Sequence, residues 1–470
     1  MPTNPTFPRP VDPVRRRLLL GGLSSAGVLA VGPLLSACGG GSGGGPAIGP
    51  GGSNNAGGGG GTIRPAQPAS NIANLGPLQA PDANGLRLPA GFTSRIIARA
   101  GEDPTGGSGY RWHTFPDGGA TFAQPDGGWV YVCNSEFLPG GVGALRFDAA
   151  SNVVDAYQIQ RGTLLNCAGG PTPWGTWLTC EEYEAGFVYE CDPSGQSSAA
   201  RLSNQRPAMG TFAHEAAAID PERRQVYLTE DESDGGFYRF TPDSYPDLSS
   251  GLLEIAEVLG TDPATRRQVI WHEVPQPNPT LALTNELSGV LAEIPLVGDL
   301  TEPVLELIGT PTRRQVANST VFDGGEGIAW HDGIVYFTTK GDNRVWALDT
   351  AAQTIEIIYD DDMFADAVLT GVDNVVVSAG GDVLVAEDGG DMQIVAITPE
   401  RQLVPLVMVT DQAESEVTGP AFSPDGTRLY FNSQRGPEPS AGGLPIPGPG
   451  GRGLTYEITG PFFDGPITNG

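Results

Sequence analysis

The stretch Asn166–Glu182 reads NCAGGPTPWGTWLTCEE. A turn-rich opening over Gly169–Pro173 leads into a short strand pattern that ends on Cys180, Glu181 and Glu182. A thiol beside two carboxylates mixes one soft ligand with two hard ones, a set suited to a transition metal next to a hard cation. Successive strand residues point to opposite faces, so Glu181 and Glu182 share a site only if the strand has ended. Taken alone, the stretch reads more readily as a buried cysteine followed by solvated acids at a loop.

The same unit recurs along the chain as Ala120–Glu136, Ala213–Asp231, Gly325–Lys340, Val372–Asp388 and Gly419–Gln434. Each copy joins a turn with apolar positions to an Asp-Gly-like reversal, a β-rich run and a polar or acidic ending. The endings Glu182, Asp231, Lys340, Asp388 and Gln434 are 49, 109, 48 and 46 residues apart, and Glu136 precedes Glu182 by 46. A period in the mid-forties built from hairpins predicts an all-β fold, a six-bladed β-propeller with one four-stranded blade per repeat. The 109-residue gap holds either an insertion at about 244–318 or an unrecognised blade, and its Leu/Ile/Val-rich stretch Leu281–Ile308, which reads as helical, favours the insertion.

In a propeller, equivalent repeat positions converge although they are distant in sequence. Glu215, Glu326 and Asp373 hold equivalent positions at the start of the first strand in their repeats. Carboxylates brought together raise one another's pKa unless cations neutralise them, and oxygen ligands suit hard multivalent cations. The plainer alternative is that these acids cap hairpins. His214 precedes Glu215, and strand alternation turns it away, toward an orienting role. There is no phosphate-binding Gly-Lys-Ser loop, nucleophile elbow or zinc motif.

Several strings carry a resemblance: GGVGALRFDA (Gly140–Ala149), the Asn166–Glu182 stretch, GTFAHEAAAIDPERRQVYLTED (Gly210–Asp231), GGFYRFTPD (Gly235–Asp243) and Gly324–Trp346. Between about Leu86 and Tyr456 the chain resembles the PhoX-type alkaline phosphatases. The resemblance implies a six-bladed propeller with a buried cluster of Fe3+ and Ca2+ that cleaves phosphate monoesters. It implies Cys180 as an iron ligand and Glu181, Glu215, Glu326, Asp373 and Glu387 as carboxylate ligands, with Glu182 the alternative to Glu181. The loop Lys340–Arg344 is shorter than the resemblance leads one to expect, so Arg344, Arg239 and Lys340 are all candidates to grip phosphate. Two other classes remain open: a calcium-dependent propeller hydrolase of lactones or other esters, and a non-catalytic propeller with structural calcium.

Composition bounds the partners. A formal net charge of −29, from 55 acidic and 26 basic residues, excludes nucleic acid, whose affinity rests on Lys and Arg contacts to phosphate. A small phosphate ester would be repelled from an acid-lined channel unless bound cations reverse the local sign. Arg15-Arg16-Arg17, the apolar run Leu18–Leu35 and Leu35-Ser36-Ala37-Cys38 read as a twin-arginine, lipoprotein-type signal over 1–38, with Cys38 lipidated. The Gly-rich stretch that follows makes 39–76 a flexible tether, leaving 77–470 for the propeller. The expected product is a monomer that meets the cell envelope only through its lipid. Cys133, Cys167, Cys180 and Cys191 remain, and a Cys180–Cys191 bridge competes with metal ligation. Mass spectrometry of the mature amino terminus is expected to find acylated Cys38 as the first residue; an unmodified start downstream of it refutes the anchor.

Overall fold

A computed structural model describes residues 69–195, 204–279, 281–283, 305–307, 309–365, 367–437 and 453–465. The signal, Cys38 and most of the expected tether lie outside the described residues. Of the tether only 69–76 are described, and there Ile72 is buried against the core.

The chain is all-β, built as successive antiparallel meanders. After β1 (Leu86–Arg87) and β2 (Thr93–Arg99) come β3 (Pro116–Ala123), β4 (Trp129–Ser135), β5 (Gly140–Phe147) and β6 (Val153–Thr163). A shorter meander follows, β7 (Asn166–Pro171), β8 (Trp177–Glu181) and β9 (Val188–Cys191). The next comprises β10 (His214–Asp220), β11 (Gln225–Glu230), β12 (Phe237–Ser244), β13 (Asp247–Val258) and β14 (Arg267–Glu273). The pair β15 (Leu281–Leu283) and β16 (Leu305–Leu307) precedes β17 (Gly325–His331), β18 (Ile334–Thr339), β19 (Arg344–Asp349) and β20 (Thr354–Asp360). Then come β21 (Val372–Val377), β22 (Val383–Glu387), β23 (Gln393–Ile397) and β24 (Leu403–Val409), and finally β25 (Val417–Phe422), β26 (Arg428–Ser433) and β27 (Leu454–Thr459).

The first strands of the meanders pack side by side around an axis. β3 touches β7, β7 touches β10, β10 touches β17, β17 touches β21, β21 touches β25, and β25 returns to β3. This is a β-propeller-like arrangement. Closure is made by the early strands: β2 completes the last sheet by pairing with β27, and β1 pairs with β24. Such closure ties the first and last described strands into the sheets.

Two expectations need correction. The strands do not sort into six separate four-stranded blades. Among the described residues hydrogen bonding gives four sheets of four or more strands, because β14 pairs with β20 to fuse two meanders into one nine-stranded sheet and β7–β9 stops at three. Nor is the insertion helical where it is described. Residues assigned to its start form β13 and β14, and the ends of Leu281–Ile308 form the antiparallel pair β15–β16. A short apolar run looks alike as buried helix or strand, and the Leu/Ile/Val content misled the reading. The intervening residues lie outside those described.

The core lies between neighbouring sheets. Second and third strands, covered on both faces, are almost wholly buried, as in β4 and β23, whereas the outer β6 alternates with solvent. Interlocking aromatics fill one layer, with Phe237 stacked 4.2 Å from Phe337 and Phe322 edge-on to Trp346. Along the axis the inner strands instead carry small residues, because their backbones nearly touch. A Cβ on Gly170 would lie 1.8 Å from the Ala217 carbonyl oxygen, and one on Gly118 would lie 2.5 Å from the Ala168 Cα. Gly170→Val is therefore expected to destabilise the fold by about 1–3 kcal/mol, read as a lowered urea midpoint; an unchanged midpoint would show that the inner strands can spread.

Candidate metal centre

Every inner strand begins the same way. Its first residue pairs with the last residue of the second strand: Pro116 with Ser135, Asn166 with Glu181, His214 with Glu230, Gly325 with Thr339, Val372 with Glu387, Val417 with Ser433. The register then slips within the next few residues, a β-bulge in each case. The bulge breaks strict alternation at the second residue of each strand. These residues are Asp117, Cys167, Glu215, Glu326, Asp373 and Thr418.

A second tier comes from the residue just past each second strand. Its amide donates to the carbonyl immediately ahead of the inner strand: Glu136 to Phe115 (3.0 Å), Glu182 to Leu165 (2.9 Å), Asp231 to Ala213 (3.2 Å), Lys340 to Gly324 (2.8 Å), Asp388 to Gly371 (2.9 Å) and Gln434 to Glu416 (3.1 Å). Four of the accepting residues have positive φ, including non-glycine Phe115 (49°) and Leu165 (47°). An L-residue held there is strained, and such strain concentrates at functional sites.

The two tiers converge. Ligand atoms lie within 4.8 Å of one another in the sets Asp117–Glu136–Cys167, Cys167–Glu182–Glu215, Glu215–Glu326–Asp373 and Asp373–Asp388–Glu416. The sets share members, so they form one continuous arc of acids interrupted by a thiol. Cys167 Sγ donates to Glu215 Oε1 at 3.2 Å. Gln434 Nε2 donates to Asp117 Oδ2 and Glu136 Oε2, each at 2.6 Å. Lys340 Nζ lies 2.9 Å from Asp388, 3.0 Å from Asp373 and 3.3 Å from Glu326. Arg435 donates to Glu416 at 3.1 Å and lies 3.8 Å from Asp388.

Burial and mutual repulsion set the protonation. Glu215 is pushed well above the usual carboxylate range, first by burial, then by Glu326 and Glu182. Asp117 is raised by burial and by Glu136, Glu326 by burial and Asp231. The Cys167 thiol is pushed up by burial and by Asp117 and Glu215. Against its own burial, Asp388 is held below the carboxylate range by Lys340 and Arg435. Without further cations the arc must carry protons; multivalent cations remove that need. The residues fit such cations. Glu215 is fully buried and its Oε2 has no hydrogen-bond partner, and around it stand oxygen ligands and one thiol.

Of the residues read from sequence, Glu182, Glu215, Glu326, Asp373 and Lys340 come together. Cys180 does not: it is buried among Leu178, Val188, Phe212 and Tyr238 in an apolar layer. Glu181 and Glu387 are also off the arc. Glu181 accepts from the Leu164 and Phe187 amides, and Glu387, pushed up to about 7 chiefly by burial, accepts from the Thr370 and Gln393 amides. In both cases the strand ends on the glutamate, and the next residue turns to the channel. Arg344 is held by Asp360 (2.7 Å) and Asp342 (2.6 Å). Arg239 pairs with Glu254 at 2.7 Å and lies 4.6 Å over the Trp271 ring, on an outer face. No disulfide joins the described cysteines; Cys191 faces Trp177 across the ladder while Cys180 faces Val188, which sets them three residues out of step. His214 lies off the arc, its Nε2 3.1 Å from the Gly210 carbonyl.

Sequence reasoning missed Asp117, Glu136, Cys167, Asp231, Asp388, Glu416 and Arg435 as site residues. The repeat endings already contained Glu136, Asp231 and Asp388. Cys167 aligns with Glu215, Glu326 and Asp373 at the second inner-strand position, a signal that the strand-end thiol Cys180 overshadowed.

The family model for alkaline phosphatase PhoX matches residues 143–185, 183–356 and 351–437. The chain belongs to the PhoX alkaline phosphatase family. Among solved structures it is similar to Pseudomonas fluorescens PhoX in complex with vanadate, a transition state analogue, at 18% identity over 82% of this chain and 98% of that one, with a TM-score of 0.61. It is more distantly similar to the Xanthomonas campestris gluconolactonase XC5397, at 13% identity over 86% of this chain and 99% of that one, with a TM-score of 0.39. No curated protein matches the chain. The likeness to the Pseudomonas PhoX structure is one of fold, and the shared family rests on the sequence model.

The two thiols are separable by experiment. Cys167→Ala is expected to lose bound transition metal while remaining folded. Cys180→Ala is expected to cost about 1 kcal/mol of stability with metal content intact. Elemental analysis of both variants beside their urea midpoints decides; metal loss in Cys180→Ala alone would reverse the assignment.

Proposed function

We propose that the protein is an exported, metal-dependent phosphatase acting on small phosphate monoesters. The observation that carries this reading is the arc itself, with the orphaned oxygen of buried Glu215 between a thiol and surrounding carboxylates, in a chain of the PhoX family. In this reading Cys167, Glu182 and Glu215 hold the iron, because a thiolate selects a transition metal. Asp117 and Glu136 on one side, and Glu326 and Asp373 on the other, offer oxygen alone and suit calcium. Bound there, the cations supply Lewis-acid charge to phosphoryl and leaving-group oxygens.

The chain's own residues do the rest. The fully buried Glu215 and nearly buried Cys167 keep bulk water from the ligands, so charges act at close quarters in a low dielectric. Arg435, about a fifth exposed and oriented by Glu416, is the guanidinium beside the arc. Its planar fork matches a phosphoryl group, which makes it a better phosphate partner than Arg344 or Arg239. Every residue of the arc comes from one chain, so a monomer suffices. Export by the twin-arginine route and anchoring through Cys38 complete the reading, with the substrate met outside the cytoplasm.

Protein purified without chelator is expected to hydrolyse an aryl phosphate with calcium-dependent turnover that EDTA abolishes. Arg435→Ala is expected to lower turnover about 10²-fold or more. Undiminished activity after exhaustive chelation refutes the metal-dependent reading, and a metal-loaded, folded protein without turnover refutes phosphate esters as substrate.

A further inference from the structure

Of the 26 lysine and arginine residues in the chain, 25 are arginine; the one lysine is Lys340. It stands where the other repeats place Glu136, Glu182, Asp231, Asp388 or Gln434, with its amide fixed to Gly324 by the shared hydrogen bond. Its Nζ meets Asp388, Asp373 and Glu326 at 2.9, 3.0 and 3.3 Å. A lysine ammonium has three donors diverging from one point, and here each has a carboxylate to face. A guanidinium presents its donors in a flat fork and does not fit a three-sided niche. These N···O distances exceed the 2.3–2.6 Å of calcium–oxygen bonds only modestly, so the ammonium gathers oxygens much as a hard cation would.

We propose that the Lys340 ammonium permanently holds one cation position of the arc, the niche between Glu326, Asp373 and Asp388. Metal ions then load on the Glu215 side of Glu326 and Asp373, and not between Asp373 and Asp388. The inference rests on the metal-binding reading given above. It gives a sequence that substitutes arginine everywhere else a reason to keep a lysine here. It also relieves Lys340 of gripping phosphate, since its ammonium is already ion-paired with three carboxylates, and leaves that work to Arg435.

Calcium supplies the probe. In the full-length mature protein, stripped and then titrated by calorimetry with elemental analysis alongside, Lys340→Ala is expected to bind one more divalent ion per chain than wild type. No gain in folded Lys340→Ala, while wild type still binds metal, overturns this inference alone. Failure of both proteins to bind metal overturns it together with the reading beneath it. Wild type provides a second test free of any folding defect, because a single lysine makes amine chemistry site-specific. Reductive methylation of Lys340, followed by mass spectrometry, is expected to be equally slow with and without calcium. A several-fold acceleration on calcium loading would show the metal evicting the ammonium and would refute the proposal.

Discussion

The hydrogen bond from the residue past each second strand to the carbonyl ahead of each inner strand is the constraint on which the site depends. It recurs at 2.8–3.2 Å around the axis, paired each time with a bulge just inside the inner strand. Together they turn two side chains per repeat toward one place, one from the second position of the inner strand and one from just past the second strand. The strain of Phe115 and Leu165 at positive φ is tolerated because this bond and the ladder beyond it over-determine the geometry. Chemistry then depends only on what each repeat inserts into a fixed frame.

What is inserted differs by repeat, and the differences are electrostatic. Toward Cys167 and Glu215 the frame holds a thiol and acids with no basic side chain in hydrogen-bond contact with Glu215, which leaves an unsatisfied oxygen. Toward Asp388 and Glu416 it holds Lys340 and Arg435, so that charge is already compensated. The last repeat departs furthest. Thr418 donates to the Pro116 carbonyl, and Gln434 bridges Asp117 and Glu136. Protein groups thus compensate part of the arc, while Glu215 Oε2, Glu326 Oε1 and Asp388 Oδ1 remain without a hydrogen-bond partner. Desolvation of this many carboxylates is costly, and Lys340 and Arg435 supply part of the charge that offsets it.

Much of this was legible in the sequence, for identifiable reasons. Glu215, Glu326 and Asp373 were found because their repeats align, and alignment is blind to local backbone irregularity. The ligands assigned from the resemblance at Cys180, Glu181 and Glu387 fall on strands rather than past their ends. Cys180 and Glu181 still lie on β8, facing an apolar layer and a loop respectively, and only Glu182 lies beyond it; Glu387 and Asp388 repeat the pattern on β22. A one-residue uncertainty in strand length reverses a side chain's direction, and no composition rule fixes strand ends that closely. Arg435 carried no signal at all, since it follows a repeat ending rather than forming one. The fused nine-stranded sheet was equally hidden, because the β14–β20 contact joins strands far apart in the chain.

The pairing of β2 with β27 has a further consequence for when the site comes into being. Residues near position 95 must find partners near 457, and the residues of the arc are spread from Asp117 to Glu416. Loop closure over such spans is slow, and β2 cannot join the last sheet until β27, which lies between it and β26, has been made. The arc therefore has no functional precursor. Each inner strand contributes only a fraction of the acidic set, and the arc is assembled only when the six inner strands close into a ring.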